Sequence, residues 1–202
     1  MKFRMSWFVL GLLAGPAVAA VAVVGQAAPA FSGVDSSGKT VSLADFKGRT
    51  VVLEWVNPSC PYVRKHYDSA NMQATQKSAT TQGAVWLSVN STHPGHGEHR
   101  KPADMAAWTR QQGATPTHTL MDGSGAIGRA YGARTTPHLY IVDSQGKLAY
   151  AGGIDDKPSA NPADVKTAKN FVTAALADLA AGRPVAQAST RAYGCSVKYG
   201  DS

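Results

Sequence analysis

The chain has 202 residues, 44% hydrophobic and 16% charged, which suits one domain with a sizeable core and excludes a disordered chain. Its net charge of +7 is spread along the sequence, with no Lys/Arg block and no interleaved aromatic stripe, so nucleic acid is not indicated as a partner. Only two cysteines occur, Cys60 and Cys195.

The N-terminus reads as an export signal over residues 1–22. Lys2 and Arg4 form a basic start, residues 7–23 an apolar run, and the Ala-rich stretch 17–22 offers small-residue cleavage sites. The alternative is an uncleaved anchor, the only case in which the chain meets the membrane; the run is near the lower length limit for spanning and contains Gly11, Gly15 and Pro16. Both readings place the folded part outside the cytoplasm, in the periplasm or cell envelope, where disulfides persist.

Residues 23–182 read as the domain. Short alternating runs at 30–34 and 40–43 flank a Ser36-Ser37-Gly38-Lys39 turn, which predicts a hairpin, followed by one helical turn at 43–46. A buried strand is predicted over 50–56, a helix over 60–80 and a second buried strand over 84–89. Residues 90–102 form a polar loop with His93, His96 and His99. Helices follow at 102–112 and 124–131, separated by a strand at 118–121. Strands at 138–142 and 147–151 enclose the turn Asp143-Ser144-Gln145-Gly146, and an amphipathic helix is predicted over 163–181. The tail, 183–202, lacks periodicity but carries Tyr193-Gly194-Cys195. Strands alternating with helices imply an α/β fold with a central sheet, whose cleft lies outside the carboxyl ends of its parallel strands.

Cys60 follows the strand 50–56 at that end. Ser59 is a candidate N-cap and Pro61 suits a first helical turn, so Cys60 stands at a helix N-terminus, where free N–H groups and the macrodipole favour a thiolate. The bland alternative is an inert buried cysteine. Glu54 interrupts the apolar run; a carboxyl group there is either a desolvated proton relay or a structural carboxylate. The three loop histidines read as a solvated loop and no metal site is assigned. His66 and Arg134 are two cations that can lie near the cleft, or be merely structural.

The segment Trp55-Val56-Asn57-Pro58-Ser59-Cys60-Pro61-Tyr62-Val63 resembles the active-site stretch of the thioredoxin superfamily. With Ala28-Pro29-Ala30-Phe31, the segment 43–47 and Thr136-Pro137 before a strand, it resembles the redoxin branch, which holds peroxiredoxins and exported thiol–disulfide oxidoreductases. The resemblance covers residues 25–179 and implies a thioredoxin-like fold, a mixed sheet flanked by helices with an N-terminal hairpin extension. It implies Cys60 as nucleophile, Glu54 as the buried acid six residues earlier, and Pro137 as a cis-proline facing Cys60. Thr136 would then pair its backbone with an incoming polypeptide, with Pro61 lining the same cleft. The implied partners are protein thiols and disulfides or a hydroperoxide, with an external thiol reductant and no cofactor.

Two departures matter. Val63 stands where a Cys-x-x-Cys motif has its second cysteine, and Leu53 and Asn57 stand where peroxiredoxins carry a proline and a threonine or serine. Cys195 is therefore the candidate resolving residue, closing an internal bridge with oxidised Cys60. Two functions remain open: a redox enzyme, and a non-catalytic peptide-binding module with a structural Cys60–Cys195 disulfide.

Overall fold

A computed structural model describes residues 21–200 of the chain. The predicted export segment lies outside the described residues except for Val21 and Ala22. No helix among the described residues is long and apolar enough to cross a membrane.

The N-terminal hairpin pairs β1 (Ser32–Val34) with β2 (Thr40–Ser42) in antiparallel register and runs into a 3-10 turn, Leu43–Phe46, closed by a Ser42–Asp45 capping box. β3 (Val51–Trp55) is buried along its whole length because it is the middle strand of five. Its side chains alternate between two packed faces, so the strand is apolar at every position but Glu54. Val52 joins Tyr67, Met72 and Trp86 on one face, while Val51, Leu53 and Trp55 join Leu120, Ile127 and Tyr131 on the other.

The predicted helix over 60–80 is two helices, α1 (Pro61–Asp68) and α2 (Asn71–Thr81). Ala70 between them adopts a left-handed conformation at φ 59°. No Gly or Pro announces the break; it is held by side chains. Gln73 Nε2 donates to the Tyr67 carbonyl at 2.9 Å and to that of Gln112 at 2.7 Å, and Ser69 Oγ donates to the Lys65 carbonyl at 2.7 Å.

β4 (Val85–Asn90) runs parallel to β3. α3 (Pro102–Gln111), β5 (His118–Met121) and α4 (Ala126–Tyr131) follow, with β5 parallel to β4 at one edge. β6 (Thr135–Thr136) precedes β7 (His138–Val142), which is antiparallel to β3, and β8 (Leu148–Gly152) forms the other edge. The sheet order is β5-β4-β3-β7-β8. It is thus an α/β, thioredoxin-like mixed sheet with a small N-terminal hairpin.

The helix predicted over 163–181 is also divided, into a 3-10 turn, Pro162–Thr167, and α5 (Phe171–Ala180). The loop after β8 takes the intervening amides: Lys169 N donates to Asp156 Oδ1 and Phe171 N to the Ile154 carbonyl, each at 2.9 Å. Asn170 then caps α5 by accepting from Thr173 N at 2.9 Å. The tail contains a last short strand, β9 (Cys195–Ser196), which the sequence does not announce.

Asp35 fastens the hairpin to the sheet edge. Its Oδ1 accepts from Ser37 N, Ser37 Oγ and Lys39 N, and its Oδ2 lies 2.8 Å from His118 Nδ1 on β5. Burial pushes its carboxyl upward, but the bonds from Ser37, His118 and Lys39 outweigh this and bring the pKa down from 3.8 to about 2. A carboxyl whose folded pKa lies below its unfolded value stabilises the fold above the unfolded value, and that contribution is lost as pH falls through the folded one. Asp35→Asn is therefore expected to cost roughly 1–2 kcal/mol at neutral pH. In urea titrations it should also flatten the loss of stability that the native chain shows between pH 4 and 2.

Candidate active site

The chain leaves β3 through Asn57-Pro58-Ser59, where Asn57 makes the turn. Its Oδ1 accepts from Ser59 N at 2.9 Å, its carbonyl accepts from Cys60 N at 3.0 Å, and its Nδ2 donates to Glu98 Oε2 at 2.6 Å. Cys60, not Ser59, is the N-cap residue of α1, and its side chain makes no capping bond. Pro61 occupies the first turn and is exposed beside it. Cys60 itself is only 1% exposed.

Two groups from distant parts of the chain cover its sulfur. The Thr136 carbonyl oxygen lies 3.0 Å from Cys60 Sγ, and the peptide bond from Thr136 to Pro137 is cis. Cys195 Sγ lies 2.7 Å from Cys60 Sγ, both residues being free thiols. Cys195 is delivered by β9, which pairs antiparallel with β6 in the register Thr136 opposite Cys195 and Thr135 opposite Ser196. The structure thus brings together Cys60, Pro61, Thr136, Pro137 and Cys195. The Thr136 hydroxyl is buried beside them with no hydrogen-bond partner.

The tail is tied down on both sides of β9. Thr190 N donates to the Ala151 carbonyl at 3.1 Å and Thr190 Oγ1 accepts from Gly153 N at 3.0 Å, which covers the β8 edge. Val197 N donates to the Arg134 carbonyl at 3.0 Å, and Tyr199 Oη to the Ala133 carbonyl at 2.8 Å. Arg134 thus meets the tail through its backbone. Gly194 permits the closest approach: at φ 138° a Cβ would stand 2.0 Å from the Thr136 carbonyl oxygen.

The Cys195 thiol is pushed up to about 12, first by burial, then by its hydrogen bond to Cys60 and by negative charge on that sulfur. It therefore keeps its proton at neutral pH while Cys60 is reduced.

Glu54 is fully buried and faces the helices. Tyr67 Oη donates to its Oε1 at 2.8 Å, while Trp86 Nε1, Ser88 Oγ and Gln76 Nε2 donate to its Oε2 at 2.8, 3.1 and 3.2 Å. Burial pushes its carboxyl upward against the lowering effect of those donors. Among the described residues none of these bonds reaches Cys60, so Glu54 stands under the site without a direct hydrogen-bonded path to the sulfur.

The three loop histidines turn to their own backbone. His93 Nδ1 accepts from Gly95 N and His96 Nδ1 from Glu98 N, and His99 Nδ1 lies against the Thr92 carbonyl, each at 3.1 Å. Sequence reasoning missed a second buried polar cluster, formed by Lys65, His66, Asp155 and Tyr193 beneath the tail. The signals for it were His66, read only as a cation near the cleft, and Tyr193, two residues before the tail cysteine.

The model of the AhpC/TSA family matches residues 24–151, more than half of the chain. No curated protein matches its sequence. Among solved structures, an uncharacterized conserved protein from Geobacillus kaustophilus is 26% identical, with a TM-score of 0.78 over 89% of this chain and 94% of its own. A hypothetical protein from Sinorhizobium meliloti 1021 is 22% identical, with a TM-score of 0.74 over 89% of this chain and 96% of its own. The thioredoxin domain of a thiol-disulfide oxidoreductase from Bacteroides vulgatus is 23% identical, with a TM-score of 0.52 over 64% and 87%. These last two likenesses show the fold alone. By its matched family and by the fold that carries Cys60, the chain belongs to the AhpC/TSA redoxin family.

Proposed function

We propose that this chain is an exported thiol oxidoreductase whose working couple is Cys60 and Cys195. The observation that carries the reading is the pairing of β9 with β6, which sets Cys195 opposite Thr136 and its sulfur against that of Cys60. Export is supported by the basic start at Lys2 and Arg4 and the apolar run that follows.

In the first step the Cys60 thiolate attacks an oxidant. With a disulfide, a mixed disulfide forms and one thiolate leaves. Cys195 then attacks Cys60 Sγ, forms the internal bridge and releases the second thiolate. Oxidation of Cys60 removes the sulfur–sulfur interactions that add to burial in raising the Cys195 pKa; burial, the largest cause, remains. The two sulfurs thus act in sequence. An external dithiol returns the bridge to two thiols.

Hydroperoxide is the second reading, and the 1% exposure of Cys60 favours it, because only a small oxidant reaches that sulfur with the tail in place. The sulfur–oxygen bond forms as the O–O bond breaks, and the other oxygen leaves as the alcohol, or as water from hydrogen peroxide, leaving Cys60 as sulfenic acid. Cys195 then displaces hydroxide from the sulfenic acid, and the hydroxide leaves as water with the proton of Cys195. Against this reading, the Asn57 side chain is committed to Ser59 and Glu98 where peroxiredoxins place a hydroxyl. A binding module for external peptides is less favoured, since β9 already occupies the strand beside Thr136.

Thiol titration after adding hydrogen peroxide or an oxidised protein partner tests the reading. The native chain should lose both thiols together and regain them with a dithiol, whereas Cys195→Ser should accumulate sulfenic acid or a mixed disulfide at Cys60. If neither oxidant consumes Cys60, the enzyme reading is lost, and a bridge that resists dithiols marks a structural staple.

Because Cys195 attacks as thiolate, the rate of bridge closure should rise about tenfold per pH unit while the pH stays below its raised pKa. Rapid acid quenching after pre-oxidation of Cys60 measures this; a pH-independent rate between 7 and 9 would contradict it.

Gly194→Ala should drive the tail off Thr136, raising the rate of Cys60 alkylation by iodoacetamide roughly tenfold or more, as a left-handed glycine forced to carry a side chain implies.

A further inference from the structure

The buried cluster beneath the tail is not used by the chemistry above. Lys65 and His66 lie on the inward face of α1, the helix that begins at Cys60, and are 1% and 0% exposed. Asp155, from the loop after β8, is 2% exposed, and Tyr193, from the tail, 8%. Lys65 Nζ donates to Asp155 Oδ2 at 3.2 Å, to the Lys157 carbonyl at 2.6 Å and to Tyr193 Oη at 3.3 Å. Tyr193 Oη donates to Asp155 Oδ1 and lies 3.2 Å from His66 Nε2. Asn71 Nδ2 is 2.8 Å from His66 Nδ1, so both nitrogens of that ring are engaged. The Tyr193 ring meets Tyr62 edge-on at 6.0 Å and has Lys65 Nζ 5.3 Å from its centre.

A buried ion pair adds little net stability over apolar packing, but it fixes position, because each partner left alone would be strongly penalised. Here the position fixed is that of Tyr193. One hydroxyl meets an ammonium, a carboxylate and an imidazole, so a shift of the tail along its own axis would break several bonds at once. Only Gly194 separates Tyr193 from Cys195. Since Lys65, His66 and Cys60 share α1, the anchor and its target are referred to one rigid element.

We propose that Tyr193 is a positioning residue that, through Lys65, His66 and Asp155, holds Cys195 on Cys60 and so makes internal bridge closure prevail over attack by an outside thiol. This rests on Cys60 and Cys195 forming the redox couple. The step it favours is attack of the Cys195 thiolate on Cys60 Sγ in a mixed disulfide, with one sulfur–sulfur bond formed, one broken and the outside thiolate released.

Equilibration with buffers of glutathione and glutathione disulfide measures the effective concentration of Cys195 at Cys60, read as the bridged fraction by alkylation. In Tyr193→Phe, which keeps the ring and leaves Lys65 on Asp155, it should fall about tenfold, the worth of one charge-assisted hydrogen bond, and Tyr193→Ala should fall further. The glutathione adduct on Cys60 should rise in parallel. An effective concentration within about twofold of the native value in both variants would overturn the proposal, whatever happens to the melting temperature, because a merely structural tyrosine would lower stability without changing this partition. The two readings fail separately. Variants that shift the equilibrium in a chain that turns over neither oxidant leave the positioning role standing and remove the enzyme. Active variants with an unchanged equilibrium do the reverse.

Discussion

The backbone of Thr136 does two jobs at once. Its carbonyl faces Cys60 Sγ, and its strand accepts β9, so whatever lies in that strand position lies against the Cys60 sulfur. Antiparallel pairing fixes register, and register here decides which side chain meets Cys60. In this chain the occupant is its own tail, with Cys195 opposite Thr136. Gly194 follows from the same constraint, since any side chain there would collide with the Thr136 carbonyl. The ties at Thr190, Val197 and Tyr199 then hold a segment that has little hydrophobic pattern of its own.

The helix that carries Cys60 is pinned from two directions by buried ionisable groups. Tyr67 donates to Glu54 on β3, while Lys65 and His66 meet Asp155 and Tyr193 under the tail. Burial shapes the groups on both sides. It pushes the Glu54 carboxyl and the Tyr67 hydroxyl upward, and it pushes His66 down to about 4, against the attraction of Asp155. At neutral pH His66 is thus an uncharged ring with Tyr193 and Asn71 at its two nitrogens, and the cluster's charge balance rests on Lys65 and Asp155. Such clusters cost desolvation, and each tethers α1, through Glu54 to β3 and through Asp155 and Tyr193 to the loop and tail.

Much of the fold was legible in the sequence because it depends on local signals. The apolar run of β3, the Gly turns and the Asn57-Pro58-Ser59 break each state their structure within a few residues. The two misread helices failed for one physical reason. Their breaks, at Ala70 and at residues 168–170, are held by hydrogen bonds that reach outside the helices, from Gln73 to the Gln112 carbonyl and from Lys169 N and Phe171 N to Asp156 and Ile154. The one local mark is Asn170, the N-cap of α5. The candidate site divides the same way. Cys60, Pro137 and Cys195 stand out by residue type and context, but Lys65 and Asp155 look like ordinary surface charges until the fold buries them. The two-residue strands β6 and β9 exist only as partners of each other.

Moving the second thiol out of the helix changes what oxidation does. A partner at position 63 would sit within α1, and its oxidation would leave the strand beside Thr136 open to other chains. Here that position is Val63, buried in the core, and the partner thiol rides on the strand itself. Reduced, β9 is held on Thr136 by hydrogen bonds and by Tyr193; bridged, it would be held covalently as well. On the proposed cycle the redox state of Cys60 and access to the Thr136 strand therefore become one variable. A large partner must displace the tail before it can meet Cys60, whereas a small one need not. The choice between protein and small-molecule substrates thus rests on how firmly the tail is held, and less on the residues that touch the sulfur.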